Sequence, residues 1–279
     1  MSTVFKAYRY QLLPLDRNET KDLYLDHSPQ EIIARKNEFF ADTLLHLPKL
    51  KLKNDVLTVF VKDLGNELFK LQLAPSRPLL RETSEFKQEL IENWPHIEAF
   101  ILNSKNEQLL LIQERSNAFS NTDTVAKIIV RGTRVSLERI GLSLHIEPLF
   151  EESYFWTLIE RYKNKITWVE FEFITPNMAN ISKTLAETLK SLGKETNAVK
   201  EQLTLRSDTS SSLDISTKNK TIKGLVEYTS HGTGNIKLKI KGIRKSFQTS
   251  SSRREVFLSG IELTAEPHQI AQIIKDALK

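Results

Sequence analysis

The stretch Asn235–Phe257, NIKLKIKGIRKSFQTSSSRREVF, alternates strictly at its start. Ile236, Leu238 and Ile240 face one way and Lys237, Lys239 and Lys241 the other, which is the period-two pattern of a strand with one buried and one wet face. Arg244 and Lys245 follow at a turn. Beyond a flexible serine-rich tip at Thr249–Ser252, Arg253 and Arg254 open a returning strand. Like charges lined up on one face of a sheet repel. Such a pattern therefore points to a negative partner.

The surrounding charge sharpens this reading. The chain of 279 residues carries 40 Lys+Arg against 35 Asp+Glu, a net charge of +5. Residues 1–200 are balanced at 27 of each sign, so the whole surplus lies in residues 201–279. Within Lys218–Arg254 ten cations (Lys218, Lys220, Lys223, Lys237, Lys239, Lys241, Arg244, Lys245, Arg253 and Arg254) face one anion, Glu227. A local field of that sign suggests a polyanion, and these ten residues are the candidate DNA-binding set. Alternate strand residues lie about 6.6–6.8 Å apart, close to the spacing of successive phosphates on one strand. Lysines suit phosphates better than bases, and no recognition helix accompanies them, so the expected binding is indifferent to sequence.

Working outward, the chain shows strands and helices in irregular order. Val4–Leu13 reads as a strand rich in aromatic and β-branched residues. Ser28, Pro29 and Glu31 form a capping box ahead of a helix over Pro29–Leu45. Val56–Val61 and Leu68–Leu73 read as a hairpin turning near Gly65-Asn66, and HIEAFILNSKNEQLLLIQE as another. Short helices are expected at Ser84–Asn93 and from Asn121–Asp123 to Gly132. LSLHIEPLF gives a strand, EESYFWTLIERY a helix and KITWVEFEFI an alternating strand. A leucine stripe (Ile181, Leu185, Leu189, Leu192) marks a further helix that Gly193 breaks, and Pro267 opens a C-terminal one. The pattern is α+β, with mainly antiparallel sheets and packed helices. It divides into a larger N-terminal domain over residues 1–175, a helical connector over 176–204 and a smaller basic portion over 205–279.

Chemistry is hard to find in the chain. Without cysteine there is no disulfide, thiolate nucleophile or Cys-based metal site. The six histidines (His27, His46, His96, His145, His231, His268) have no zinc-ligand spacing. Glu170 and Glu172 share one face of a strand, where two carboxylates could hold a divalent ion. They make a metal-dependent nuclease the enzyme-class alternative, although an alternating strand with a solvent face yields such pairs by default. The glycine turn HGTGN (His231–Asn235) lacks the Lys-Ser/Thr and the helix of a phosphate-binding loop. The expectation is a non-enzymatic protein with no catalytic residue, metal or cofactor. A protein-interaction effector with a basic face is the third reading. No segment approaches the roughly 18 uncharged apolar residues of a membrane span, and the N-terminus does not read as a signal peptide, so the expected compartment is the cytosol.

The stretch from His96 to Phe173 resembles the RexA phage-exclusion family. The likeness lies in the order of its elements: a hairpin with a polar turn, a short helix ending at glycine, an IEPL strand (Ile146, Glu147, Pro148, Leu149), a helix and a further strand. A helix and a basic, glycine-turned C-terminal portion come next. The resemblance implies a homodimer that binds double-stranded DNA without strong sequence preference, acts in phage exclusion or abortive infection, and has a membrane-protein partner. It transfers no individual DNA-contacting residue.

Overall fold

The computed structural model describes residues 2–15, 27–52, 55–175 and 187–278, with the backbone alone for Asp55 and Lys194. The protein is α+β and its pairings are antiparallel. In chain order the elements begin with β1 (Ser2–Pro14), α1 (Pro29–Leu45), β2 (Lys51–Leu52), β3 (Asp55–Val56), β4 (Thr58–Gly65), β5 (Leu68–Ala74), β6 (Leu79–Glu82) and β7 (Gln88–Ile91). Next come β8 (Ile97–Asn103), β9 (Gln108–Gln113), α2 (Thr122–Arg139), β10 (Leu142–Pro148), α3 (Glu152–Arg161) and β11 (Ile166–Ile174). After them run α4 (Glu187–Glu195), β12 (Lys200–Arg206), α5 (Lys220–Ser230), β13 (Gly234–Ile240), β14 (Phe247–Gln248), β15 (Glu255–Ser259), α6 (Gly260–Leu263) and α7 (Pro267–Ala277).

Two compact units share this chain, and they interleave rather than follow one another: Met1–Lys6, Arg35–Ile140 and Glu255–Lys279 form one, Ala7–Ala34 and Gly141–Arg254 the other. In the first unit the order β9-β8-β5-β4 is built from hairpins. Strands β8 and β9 are buried along nearly their whole length, so both faces of the sheet are covered there. Helix α2 packs against β9, with Val125, Ile128 and Ile129 buried. It runs 18 residues, straight through the glycine expected to end it. At Gly132 a Cβ would lie 2.1 Å from a Leu50 methyl, so the glycine allows close packing instead of stopping the helix. The helix expected at Ser84–Asn93 is absent, and the exposed β6–β7 hairpin takes its place, with Phe86 at a positive φ of 58° near its tip.

The second unit carries the four-stranded sheet β12-β11-β13-β14. One face is apolar. Val169, Phe171 and Phe173 of β11 and Ile236 and Leu238 of β13 pack with Ile222, Leu225 and Val226 of α5 and Phe155 of α3. The alternation of β13 holds as read, with Ile236, Leu238 and Ile240 buried. Several details differ from the sequence reading. Residues 200–206, the first five of them expected within a helical connector, form β12 and pair with β11 from Trp168↔Arg206 to Ile174↔Lys200. Helix α4 continues through Gly193. Leu189 packs on the core and Leu192 is exposed, while Ile181 and Leu185 lie outside the described residues. The serine tip is folded, not loose. Thr249 is buried, its Oγ1 accepts from the Ile236 amide at 2.9 Å, and Asn235 Oδ1 accepts from the Ser250 amide at 3.0 Å. The returning strand β15 pairs with Ser2–Lys6 of β1, and it is β14 that lies beside β13.

Gly234 sets how closely β13 approaches β11, since a Cβ there would stand 2.0 Å from the Glu172 carbonyl oxygen. Backbone cannot rotate away as a side chain can. Gly234→Ala is therefore expected to lower unfolding stability in urea by about 3 kcal/mol. A loss below about 0.5 kcal/mol, typical of an uncrowded surface site, would contradict so close an approach.

Candidate nucleic-acid interface

The four-stranded sheet has two ends of unlike chemistry. At one end Ile166, the first residue of β11, pairs with Ile240, the last of β13, and β12 finishes at Arg206 opposite Trp168. The Lys241 amide donates to the Lys165 carbonyl at 2.7 Å, and the Leu213 amide to that of Ile166 at 2.7 Å. The second bond holds at this end the loop that leads into α5. At the other end Gly234 pairs with Phe173, and the Phe150 amide donates to Ser230 at the close of α5.

Five segments bring cations to the first end. The end of α3 and its link to β11 supply Arg161, Lys163 and Lys165, and β12 ends on Arg206. Lys218, Lys220 and Lys223 surround the N-terminus of α5, whose Asn219 cap accepts from the Ile222 amide. Lys239 closes the wet face of β13, and Lys241, Arg244 and Lys245 occupy the turn to β14, where Gly242 takes a φ of 85°. All eleven are exposed, and among the described residues no carboxylate pairs with any of them. Three exposed carboxylates, Glu160, Asp208 and Asp214, share the segments. Four strands span about 14 Å at the usual spacing, a length over which duplex DNA presents about eight charges.

Three of the ten sequence-predicted cations do not belong to this group. Lys237 sits mid-strand opposite Glu170, and its ammonium donates to Glu170 Oε1 at 2.7 Å and Glu172 Oε2 at 3.4 Å. Arg253 and Arg254 lie beside Leu149 and Phe150, at the opposite end of the sheet. Arg254 pairs there with Glu151 at 3.0 Å. The three-lysine row read from the alternation is thus split: Lys237 is neutralised, Lys239 is exposed on the strand, and Lys241 stands in the turn beyond it.

The neutralising network covers the middle of the wet face. Glu170 is buried and also accepts from Gln202 Nε2 of β12. Glu172 binds Lys200 of β12 as well as Lys237, and Lys200 reaches Glu147 at 3.6 Å. Burial works against ionising Glu172, yet the two ammonium groups hold its carboxyl below the usual range. The hydrogen bond to Glu170, opposed by desolvation, raises Lys237, while Glu172 and Glu147 overcome burial to raise Lys200. The two carboxylates of the nuclease alternative are therefore lysine-bound, and a cation entering between them would have to displace an ammonium group. Among the described residues no cluster of three or more His, Asp or Glu could hold a metal ion.

Sequence reading missed Arg161, Lys163, Lys165 and Arg206. The signal was present in RYKNK (Arg161–Lys165), three cations in five residues just before a strand, but the charge balance of residues 1–200 hid it. Arg206 becomes visible only once β12 is a strand. Comparison with protein-family profiles, curated proteins and solved structures finds no match to this chain.

Lys237→Met leaves buried Glu170 and half-buried Glu172 without their shared donor and is expected to cost about 1–3 kcal/mol. The same change at exposed Lys239 should cost less than about 0.5 kcal/mol. Equal losses in urea titrations would refute the network. Because folded Glu172 holds its proton less tightly than the unfolded chain does, its contribution is complete above the unfolded value of about 4.3 and is lost as pH falls through the folded one. Glu172→Gln should therefore flatten the acid limb of a stability–pH curve below about pH 4.5.

Proposed function

We propose that this protein binds double-stranded DNA through its phosphates, without reading sequence, and that it is not an enzyme. The supporting observation is the basic end of the four-stranded sheet, where eleven exposed cations meet three carboxylates. Charges left unpaired on a folded surface keep their hydration and release a polyanion's counterions when it docks. Eight of the eleven are lysines, flexible point charges that follow a phosphate backbone but discriminate poorly between bases. Among the described residues no helix is long and apolar enough to cross a membrane. Phage exclusion, a homodimeric assembly and a membrane-protein partner rest on the RexA resemblance alone.

If about six of these cations meet phosphates, log K against log salt should have a slope of roughly −5 for duplex DNA. Replacing Lys241, Arg244 and Lys245 together by glutamine should flatten it by about 2–3 units. Lys237→Met should leave it unchanged, since that ammonium is already paired. An unaltered slope in the triple variant would remove the basic end from the account. Affinity that varies strongly with duplex sequence would overturn the phosphate-only reading.

A further inference from the structure

We infer that the basic end also takes an unpaired nucleotide of DNA, with its base stacked on Trp168; the inference rests on the DNA-binding reading above. Trp168 lies on the wet face of the sheet, directly between two cations: Lys239 is its cross-strand partner on β13 and Arg206 its partner on β12. Both are exposed and Trp168 is half-buried. The register shifts between Ile166 and Trp168. Such an irregularity re-aims the side chains beside it and is concentrated next to functional sites. The indole N–H is buried and, among the described residues, has no acceptor, so it is not the polar edge of this residue that meets water.

An aromatic surface with a cation on each side, one strand spacing away, has the chemistry of a single nucleotide: a ring for the base and a charge for each flanking phosphate. An intact duplex keeps its bases stacked inside and offers this face only its backbone, whereas a gap or a single-stranded stretch supplies a free base. The next outward residue along β11, Glu170, is bound by Lys237 and Gln202. The strand carrying the tryptophan therefore presents no free carboxylate beside it to repel a phosphate.

Fluorescence anisotropy of the full chain tests this with labelled oligothymidine, an intact duplex, and that duplex with a short gap. Single-stranded and gapped probes are expected to bind about tenfold tighter than intact duplex at equal salt. Trp168→Leu should remove about that factor from both while changing intact duplex by less than about twofold, and Trp168→Phe, which keeps a ring, should restore most of it. A chain with Trp94→Phe and Trp156→Phe gives an independent readout, because the remaining Trp168 emission should be quenched as oligothymidine saturates. Equal affinity for all three probes, or unquenched Trp168 emission at saturation, overturns the stacking site and leaves the DNA reading standing. Absence of salt-dependent binding to every probe overturns both. Tighter binding of oligouridine than of oligothymidine overturns the assignment to DNA.

Discussion

The second unit is organised by one cross-strand meeting, Lys237 of β13 against Glu170 and Glu172 of β11. Beneath it, Ile236 and Leu238 lie against Phe171 and Val169 in the apolar layer. A slip of one residue would turn every side chain of β13 over, placing an ammonium in the core and two aliphatic chains in water. Apolar burial and ion pairing therefore specify the same register. The burial supplies the driving force, at about 25 cal/mol for each Å² of apolar surface withdrawn from water. The ionic layer adds less, because the desolvation of Glu170 and Glu172 offsets much of the attraction.

That neutralisation in the middle of the sheet leaves the charge surplus at its end. Arg254 at the far end is answered by Glu151, and Lys200 by Glu147 and Glu172. At the near end the cations are exposed, most of them on loops and near element ends, where unit charges a few ångströms apart repel by only about 1 kcal/mol and salt screens them further. The fold tolerates unpaired charge there because it costs little there. Lys237 has no such latitude on a half-buried strand, and it is the lysine of its row that has acquired carboxylate partners.

Alternation made β11 and β13 legible, since an uninterrupted period of two admits one reading, and the β4–β5 and β8–β9 hairpins were equally plain from their turns. Reading failed where a residue's meaning depends on a distant neighbour. Gly132 looks like a helix terminator until Leu50 lies against it, and the β6–β7 segment reads as a helix because pairing across its turn leaves no mark in local composition. The cationic stretch was legible as charge but not as a surface. Alternation places Lys237, Lys239 and Lys241 on one face, but it does not reveal that Glu170 stands opposite the first or that the strand ends before the third.

The same dependence on neighbours changes what the pair Glu170 and Glu172 means. Two carboxylates at a spacing of two residues are what a divalent ion needs, and in sequence they look available. In the fold their charge is met by Lys237 and Lys200, with Gln202 donating to Glu170. A hard cation prefers oxygen ligands free of ammonium competition, so these oxygens serve the sheet in preference to a metal. Their removal as anionic competitors is also what lets Lys239, Arg206 and the lysines of the turns act as one positive field. The acidic middle and the basic end are complementary parts of one electrostatic design: the first confines its charge to the protein, and the second leaves its charge to be met from outside.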